Sequence, residues 1–253
     1  FEAILELLVP LIMAVIIDKG IGNQDTSLIL GQGAILIVLG ILGVVVSITA
    51  QYYAAKAATG FTAEVRQALF SKIQYTLLTR LTSDMNLVQN GLNIALRLLL
   101  RSPFIVGGAI VMAFVVNVEM AWTFAITVPI LAVVVFGIIY WTIPMYRRVQ
   151  GQLDRIMRLV HENLLGVRVI RAFNREEKEI QSFREDTEAL NQAQQKVSAL
   201  SGAMNPITFV IVNVALIVIL YSGAIKVDTG TLSKGDVIAL TNYMSQILVE
   251  LVK

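Results

Sequence analysis

The sequence predicts an all-α membrane protein with six spanning helices and long cytoplasmic extensions. Three observations predict it. Of 253 residues, 56% are hydrophobic and only 15% charged, with mean hydropathy +0.73; a soluble domain carries about a quarter of charged residues. The apolar residues come in blocks long enough to cross a bilayer. Lys and Arg gather in one class of loop, so the blocks have an orientation. The net charge of +2 decides little. The absence of cysteine excludes disulfides, thiol chemistry and cysteine metal sites.

The first span is 1–17, already apolar at Phe1. It lacks the basic start of a signal peptide and carries Glu2 and Glu6. The chain starts without Met and stops at Lys253 inside an apolar run, as expected of a piece of a longer protein. DKGIGNQD, 18–25, reads as a polar loop. The second span is 32–55, with Tyr52 and Tyr53 at an interface and an amphipathic extension to about residue 75. From Gln32 to Tyr52 is about 30 Å of helix, the thickness of a bilayer core.

The third span, 94–116, must return across the membrane, yet KIQYTLLTRLTSD has no turn-forming residue before Asp84. One uninterrupted helix over 32–116 would be about 125 Å long. Either the turn is at Asn90-Gly91 or residues are missing between Tyr75 and Thr76; the second reading is preferred. NVEMA, 117–121, is an outer turn. The fourth span, 122–146, has Trp122 at one end and Tyr140, Trp141 and Tyr146 at the other. Trp122 to Trp141 covers about 28 Å, matching two aromatic belts. Pro129 and Pro144 are tolerated within a membrane helix.

Residues 147–200 read as a hairpin of two helices outside the membrane. Val149, Leu153, Ile156, Val160 and Leu164 line one helix; Ile180, Phe183, Thr187, Leu190 and Val197 line the other. Steps of three and four suit coiled-coil-like packing. GVRVIRAF, 166–173, is the apex. The fifth span is 203–225, and KVDTGTLSKGD, 226–236, is an outer loop. The sixth span, 237–253, is cut off. Nine Lys or Arg residues lie in 147–184, against only Lys19, Lys226 and Lys234 in the opposite loops. The hairpin is therefore cytoplasmic.

ENLLGVRVIRAFNREEKEI, 162–180, resembles the second intracellular loop of ABC exporter membrane domains. So do TLLTRLTSDMNLVQ, RLLLRSP, MNPI and GDVIALTNYMSQIL, in matching order over almost the whole chain. The likeness is to bacterial multidrug-type half-transporters, homo- or heterodimeric. It implies a bacterial inner-membrane, multi-pass domain whose fourth and fifth helices swap onto a second transmembrane domain. It implies coupling helices at the loop tips, the second being Gly166, Val167, Arg168, Val169, Ile170, Arg171, Ala172 and Phe173. The first falls at residues 75/76, where the chain is about a dozen residues short of the family pattern. It also implies a nucleotide-binding domain after the sixth span, holding ATP and Mg. No stretch matches G-x-x-x-x-G-K-[ST], so this chain has no ATPase site and no cofactor of its own. It would contribute to an ATP-hydrolysing translocase that exports amphipathic drugs, lipids or peptides by alternating access.

Candidate sites follow. Val167, Val169, Ile170, Ala172 and Phe173 are apolar at a water-exposed apex, where such clusters meet a partner; Arg168 and Arg171 add charge-assisted hydrogen bonds. Counted from the outer loops, Glu2 and Arg101 lie about 24 Å deep and Glu6 about 18 Å. Charges at that depth need a partner or a watery cavity. Pairing of Glu2 or Glu6 with Arg101 is preferred over contact of Glu6 with a cationic substrate. Phe104, Met112, Phe209, Asn213, Tyr243 and Met244, with Glu6, form a candidate cavity lining of adaptable groups, although each alone is more simply a packing residue. His161 has no second histidine and reads as a surface residue; no metal site and no catalytic nucleophile stand out. Basic residues interleaved with acidic ones argue against nucleic-acid binding. Two other readings are an ion-gradient-driven secondary transporter, which predicts broken helices and paired repeats, and a membrane scaffold without transport.

Overall fold

The computed structural model describes residues 2–72 and 85–252, and the side chains of these other than 69–72, 99, 100 and 252. Described residues form seven α-helices and one π-turn, and no strand. The helices are α1 (Glu2–Val15), α2 (Thr26–Lys72), α3 (Met85–Val116), α4 (Val118–Ala172), α5 (Glu176–Gly202), α6 (Met204–Asp228) and α7 (Lys234–Val252); the π-turn spans Ile16–Ile21. Asn90 and Gly91 lie inside α3, so no turn occurs there. The 75/76 junction and the first coupling helix placed at it lie outside the described residues.

Four stretches among the described residues are long and apolar enough to cross a membrane: Thr26–Ala68, Met85–Val116, Val118–Ala172 and Glu176–Asp228. This makes the chain a multi-pass membrane protein. At 14 residues α1 is shorter than the roughly 20 a span needs. The 19 residues of α7 include Thr241, Asn242, Ser245 and Gln246, which lower its hydropathy.

Local chemistry sets the helix ends. Asp25 starts α2: its Oδ1 accepts from Ser27 Oγ at 2.8 Å, Ser27 N at 3.0 Å and Leu28 N at 3.2 Å. Gln24, Asn174 and Gly230 take positive φ of 57°, 52° and 72°. Each closes a helix end with paired bonds, as in Arg175 N to Ile170 O at 3.0 Å and Asn174 N to Arg171 O at 3.1 Å. Ser233 and Asp236 form a reciprocal capping box at the start of α7, with bonds of 3.1 and 2.9 Å. A single residue, Asn117, separates α3 from α4, and its side-chain oxygen accepts from Met120 N at 3.1 Å.

The Asp25 carboxyl is held below its usual 3.8, first by the Ser27 hydroxyl and then by backbone N–H groups. A lowered carboxylate stabilises above its ordinary range and loses that contribution as pH falls through the lowered value. Asp25→Ala is expected to speed amide exchange at Ser27 and Leu28 at neutral pH, whereas the unaltered protein loses the same protection only below about pH 4. Unchanged exchange in the variant would remove Asp25 as the cap.

Two compact units result, one of Phe1–Val128 with Val212–Lys253 and one of Pro129–Ile211; both boundaries fall inside continuous helices. In the first unit, Ile105, Ala109 and Ala113 form a fully buried ridge on α3. Small residues in such a ridge let helices approach closely. Leu7, Leu240, Tyr243 and Met244 complete this core, and the Tyr243 hydroxyl donates to Leu7 O at 2.7 Å. At the π-turn, Asp18 Oδ1 accepts from Gly235 N at 2.8 Å, tying it to the start of α7. Glu119 pairs with Lys226.

In the second unit α4 and α5 form the hairpin. Arg155 Nε donates to Asp186 at 3.1 Å, and Val149, Ile156 and Val197 are buried. Much of the remaining apolar stripe opens: Leu153, Val160, Leu164, Ile180 and Phe183 are exposed, while Leu190 is half-buried. The residues read as a separate apex helix are the last turns of α4, which runs unbroken to Ala172. Nothing before Asn174 can stop it, because Gly166 alone costs a helix only about 1 kcal/mol.

Candidate functional site

Glu2 and Glu6 stand four residues apart on α1, so both carboxylates share one face. Opposite them on α3 is Arg101. Its Nη1 lies 3.0 Å from Glu2 Oε1 and its Nη2 2.8 Å from Glu6 Oε2. The guanidinium fork spreads over two acids rather than gripping one. A third carboxylate joins from α7: Glu250 Oε1 lies 3.7 Å from Nη2, and Ser102 Oγ donates to Glu250 Oε2 at 3.2 Å. The Glu250 side chain is only 4% exposed and that of Glu6 37%, so the cluster is closed on one side and open on the other.

The sequence reading offered Glu2 or Glu6 as the partner of Arg101; the structure places both there. It had no place for Glu250. The signal was available: an acid inside QILVELVK, about 21 Å of helix from Asp236, meets the same depth argument as Glu6.

The open side is a groove of about 450 Å³. Glu2, Leu5, Glu6 and Val9 form one wall, and Leu36, Leu39, Gly40, Gly43, Val44 and Ser47 of α2 the other, with Arg101 at the charged end. A Cβ on Gly40 or Gly43 would meet nothing within 4 Å, so these glycines widen the groove.

Of the seven residues suggested as a cavity lining, only Glu6 lines this groove. Tyr243 and Met244 are corrected: both are fully buried packing residues of α7, facing the core and not an open cavity. Their positions one apart in an amphipathic helix could not reveal which face is inward. Phe104 and Phe209 are exposed, and Met112 and Asn213 half-buried. His161 is exposed, and no group of three His, Cys, Asp or Glu able to hold a metal occurs among the described residues.

The hairpin tip is the other candidate. Val167, Val169 and Phe173 are exposed, Phe173 by 74%, as are the preceding Leu164 and Leu165. Gly166 and Ile170 are half-buried. Arg168 and Ala172 are exposed, and Arg171 is 3.5 Å from Glu176 across the turn. An exposed pair of this kind contributes little, about 0–1 kcal/mol, so it leaves Arg171 able to exchange partners. The tip therefore presents apolar side chains flanked by guanidinium groups.

The family model for the ABC transporter transmembrane region matches residues 1–251. An uncharacterized ABC transporter ATP-binding protein of Bacillus subtilis is 30% identical over 258 residues, covering 97% of this chain and 45% of that protein. An uncharacterized ABC transporter ATP-binding protein of Mycobacterium bovis is 32% identical over 254 residues, covering 96% and 44%. An ATP-dependent lipid A-core flippase of Colwellia psychrerythraea is 20% identical, covering 92% and 41%. The chain thus spans less than half the length of these relatives. A membrane-embedded helical chain matched from end to end by that model belongs to the ABC transporter transmembrane region family.

Proposed function

We propose that this chain is the membrane-spanning half of an ATP-driven exporter of amphipathic compounds. The observation that carries the reading is the hairpin tip: apolar residues exposed beside Arg168 and Arg171 at the end of two long helices. Such a surface suits docking onto a moving domain. In this reading the tip is cytoplasmic and docks on nucleotide-binding domains, which hold ATP and magnesium and lie outside these residues. Two such chains, identical or not, each contribute six spans, with the fourth and fifth crossing to the partner. The hairpins carry domain closure to the membrane, and the chamber switches from inward to outward access. The location that fits is a bacterial inner membrane.

The test reconstitutes the full-length protein in liposomes and follows dye efflux with ATP, without ATP, and under an imposed proton gradient. Efflux only with ATP supports the reading; efflux driven by protons alone, or no flux, defeats it. A second expectation concerns the tip. Val169→Asp with Phe173→Asp is expected to lower ATP-dependent efflux about tenfold or more, a loss of about 1.4 kcal/mol of coupling, with thermal stability unchanged. Full efflux in that variant would mean that the tip is not the contact.

A further inference from the structure

We propose that the face of α4 opposite its buried side holds a resident anionic phospholipid, its phosphate on Arg147 and Arg148 and an acyl chain laid along a notch at Gly137. The lipid is a fixed boundary ligand and not cargo. The assignment needs only that the chain crosses a membrane, and it does not use the export reading.

Charge along the helix leads there first. From Met120 to Tyr146 there is no Asp, Glu, Lys or Arg; Arg147 and Arg148 then follow together, and the next acid is Asp154. Both arginines are exposed, and among the described residues neither forms a salt bridge. The other end of the span differs, because there Glu119 and Lys226 neutralise each other. Uncompensated positive charge therefore stands at the hairpin end of this span.

The facing of the side chains comes second. At about 100° per residue, Gly137, Tyr140, Trp141, Arg147 and Arg148 fall within an arc of about 120°. The buried residues Leu131, Val135, Thr142 and Val149 fall nearly opposite. Tyr140 is 77% exposed and Trp141 69%, so packing within the chain leaves this strip uncovered. A Cβ on Gly137 would meet nothing within 4 Å, which makes the glycine a notch between exposed Val133 and the two rings.

Depth then selects the occupant. Tyr and Trp settle at the edge of the hydrocarbon layer, and the polar layer beyond it is about 5–8 Å thick. Arg147 stands about 9 Å of helix past Trp141, so its side chain reaches that layer by bending back toward the lipid. Guanidinium groups take phosphate oxygens in pairs. The occupant needs an anionic head at the interface and an apolar body that follows the helix inward for about 15 Å, from Arg147 to Gly137. An anionic phospholipid has both. Inorganic phosphate has only the head, and phosphatidylcholine offsets its phosphate with its own cation.

The test uses the full-length protein in phosphatidylcholine nanodiscs that carry a graded fraction of phosphatidylglycerol with a diazirine in its acyl chain. Photolabelling of the peptide around Gly137 is read by mass spectrometry. Labelling is expected to saturate with phosphatidylglycerol, to rise only in proportion with a diazirine phosphatidylcholine, and to withstand inorganic phosphate and ATP. Arg147→Gln with Arg148→Gln and, separately, Gly137→Leu are each expected to raise the half-saturating fraction at least about tenfold, equal to about 1.4 kcal/mol. Gly137→Leu leaves both charges in place, so it remains informative if the arginine variant folds poorly. Arg158→Gln removes the same charge from the same face about 15 Å beyond Arg148, outside the polar layer, and should change nothing. Saturation by phosphatidylcholine, competition by phosphate, or undiminished labelling in either of the first two variants would each overturn the assignment. Loss of labelling on adding ATP would do so by making the lipid cargo, and an equal loss in Arg158→Gln by making the attraction unspecific. Absence of labelling would do so as well, the result expected if a protein segment covers this face.

Discussion

Arg101→Met is expected to destabilise the protein by about 3 kcal/mol, near the low end for breaking a buried ion pair, because Glu2 and Glu6 keep some exposure. The loss arises less from the missing attraction than from what is left behind. Glu250 is almost fully enclosed, and it, Glu2 and Glu6 would all lose the Arg101 guanidinium that they now share. Removing one partner of a desolvated pair costs more than removing both. Combining Arg101→Met with Glu2→Gln, Glu6→Gln and Glu250→Gln should therefore recover most of the stability. Arg101→Lys should fall between, since a single ammonium cannot spread over carboxylates as the planar fork does. Thermal unfolding of the three variants and the unaltered protein in one detergent decides it. If Arg101→Met melts with the unaltered protein, the cluster does not hold α1, α3 and α7 together.

Gly235→Val should be about as damaging, again by about 3 kcal/mol, the upper part of the usual cost of overpacking. A Cβ there would lie 2.5 Å from Asp18 Oδ2 and 2.8 Å from the Ala14 carbonyl carbon. The obstacle is largely backbone, so no rotamer change relieves it. The start of α7 would have to leave α1, breaking the 2.8 Å bond from Gly235 N to Asp18. Gly20→Ala is the matched comparison: its Cβ would meet Ile29 Cγ1 at 2.6 Å, the body of a side chain that can turn away. Melting should drop sharply for the first variant and mildly for the second. Equal shifts would mean that contact at the α7 start is not what limits stability.

Much of this architecture was legible in the sequence, for reasons that show its limits. Apolar blocks and buried charges can be read along a chain because the bilayer imposes a fixed length on any helix. Depth counted along a chain is one-dimensional, so it brought Glu2, Glu6 and Arg101 to similar levels. It could not say that Glu250, from a helix remote in sequence, joins them. Depth likewise gives no facing direction, so Tyr243 and Met244, adjacent on α7, could not be told from cavity residues although both are buried in the core. The end of the first hairpin helix was also hard to read, because a helix already nucleated passes a lone glycine at small cost and α4 runs on through Gly166. The stop comes where Asn174 takes a left-handed conformation. The groove itself has no sequence signature, because Gly40 and Gly43 look like ordinary membrane-helix glycines until the opposite wall is known.

The wide turn at Ile16–Ile21 sets a phase. Below it, Glu2 and Glu6 are anchored to α3; within it, Asp18 is anchored to α7. An α-helical residue advances about 100° around its axis, so the extra residue of a π-turn works as a rotary shim between the two moorings. Losing one residue from it would swing the acids roughly a quarter-turn away from the guanidinium while Asp18 stayed put. Relatives of this chain should therefore vary in length after residue 21, where the polar connection can absorb it, and hold constant length before it.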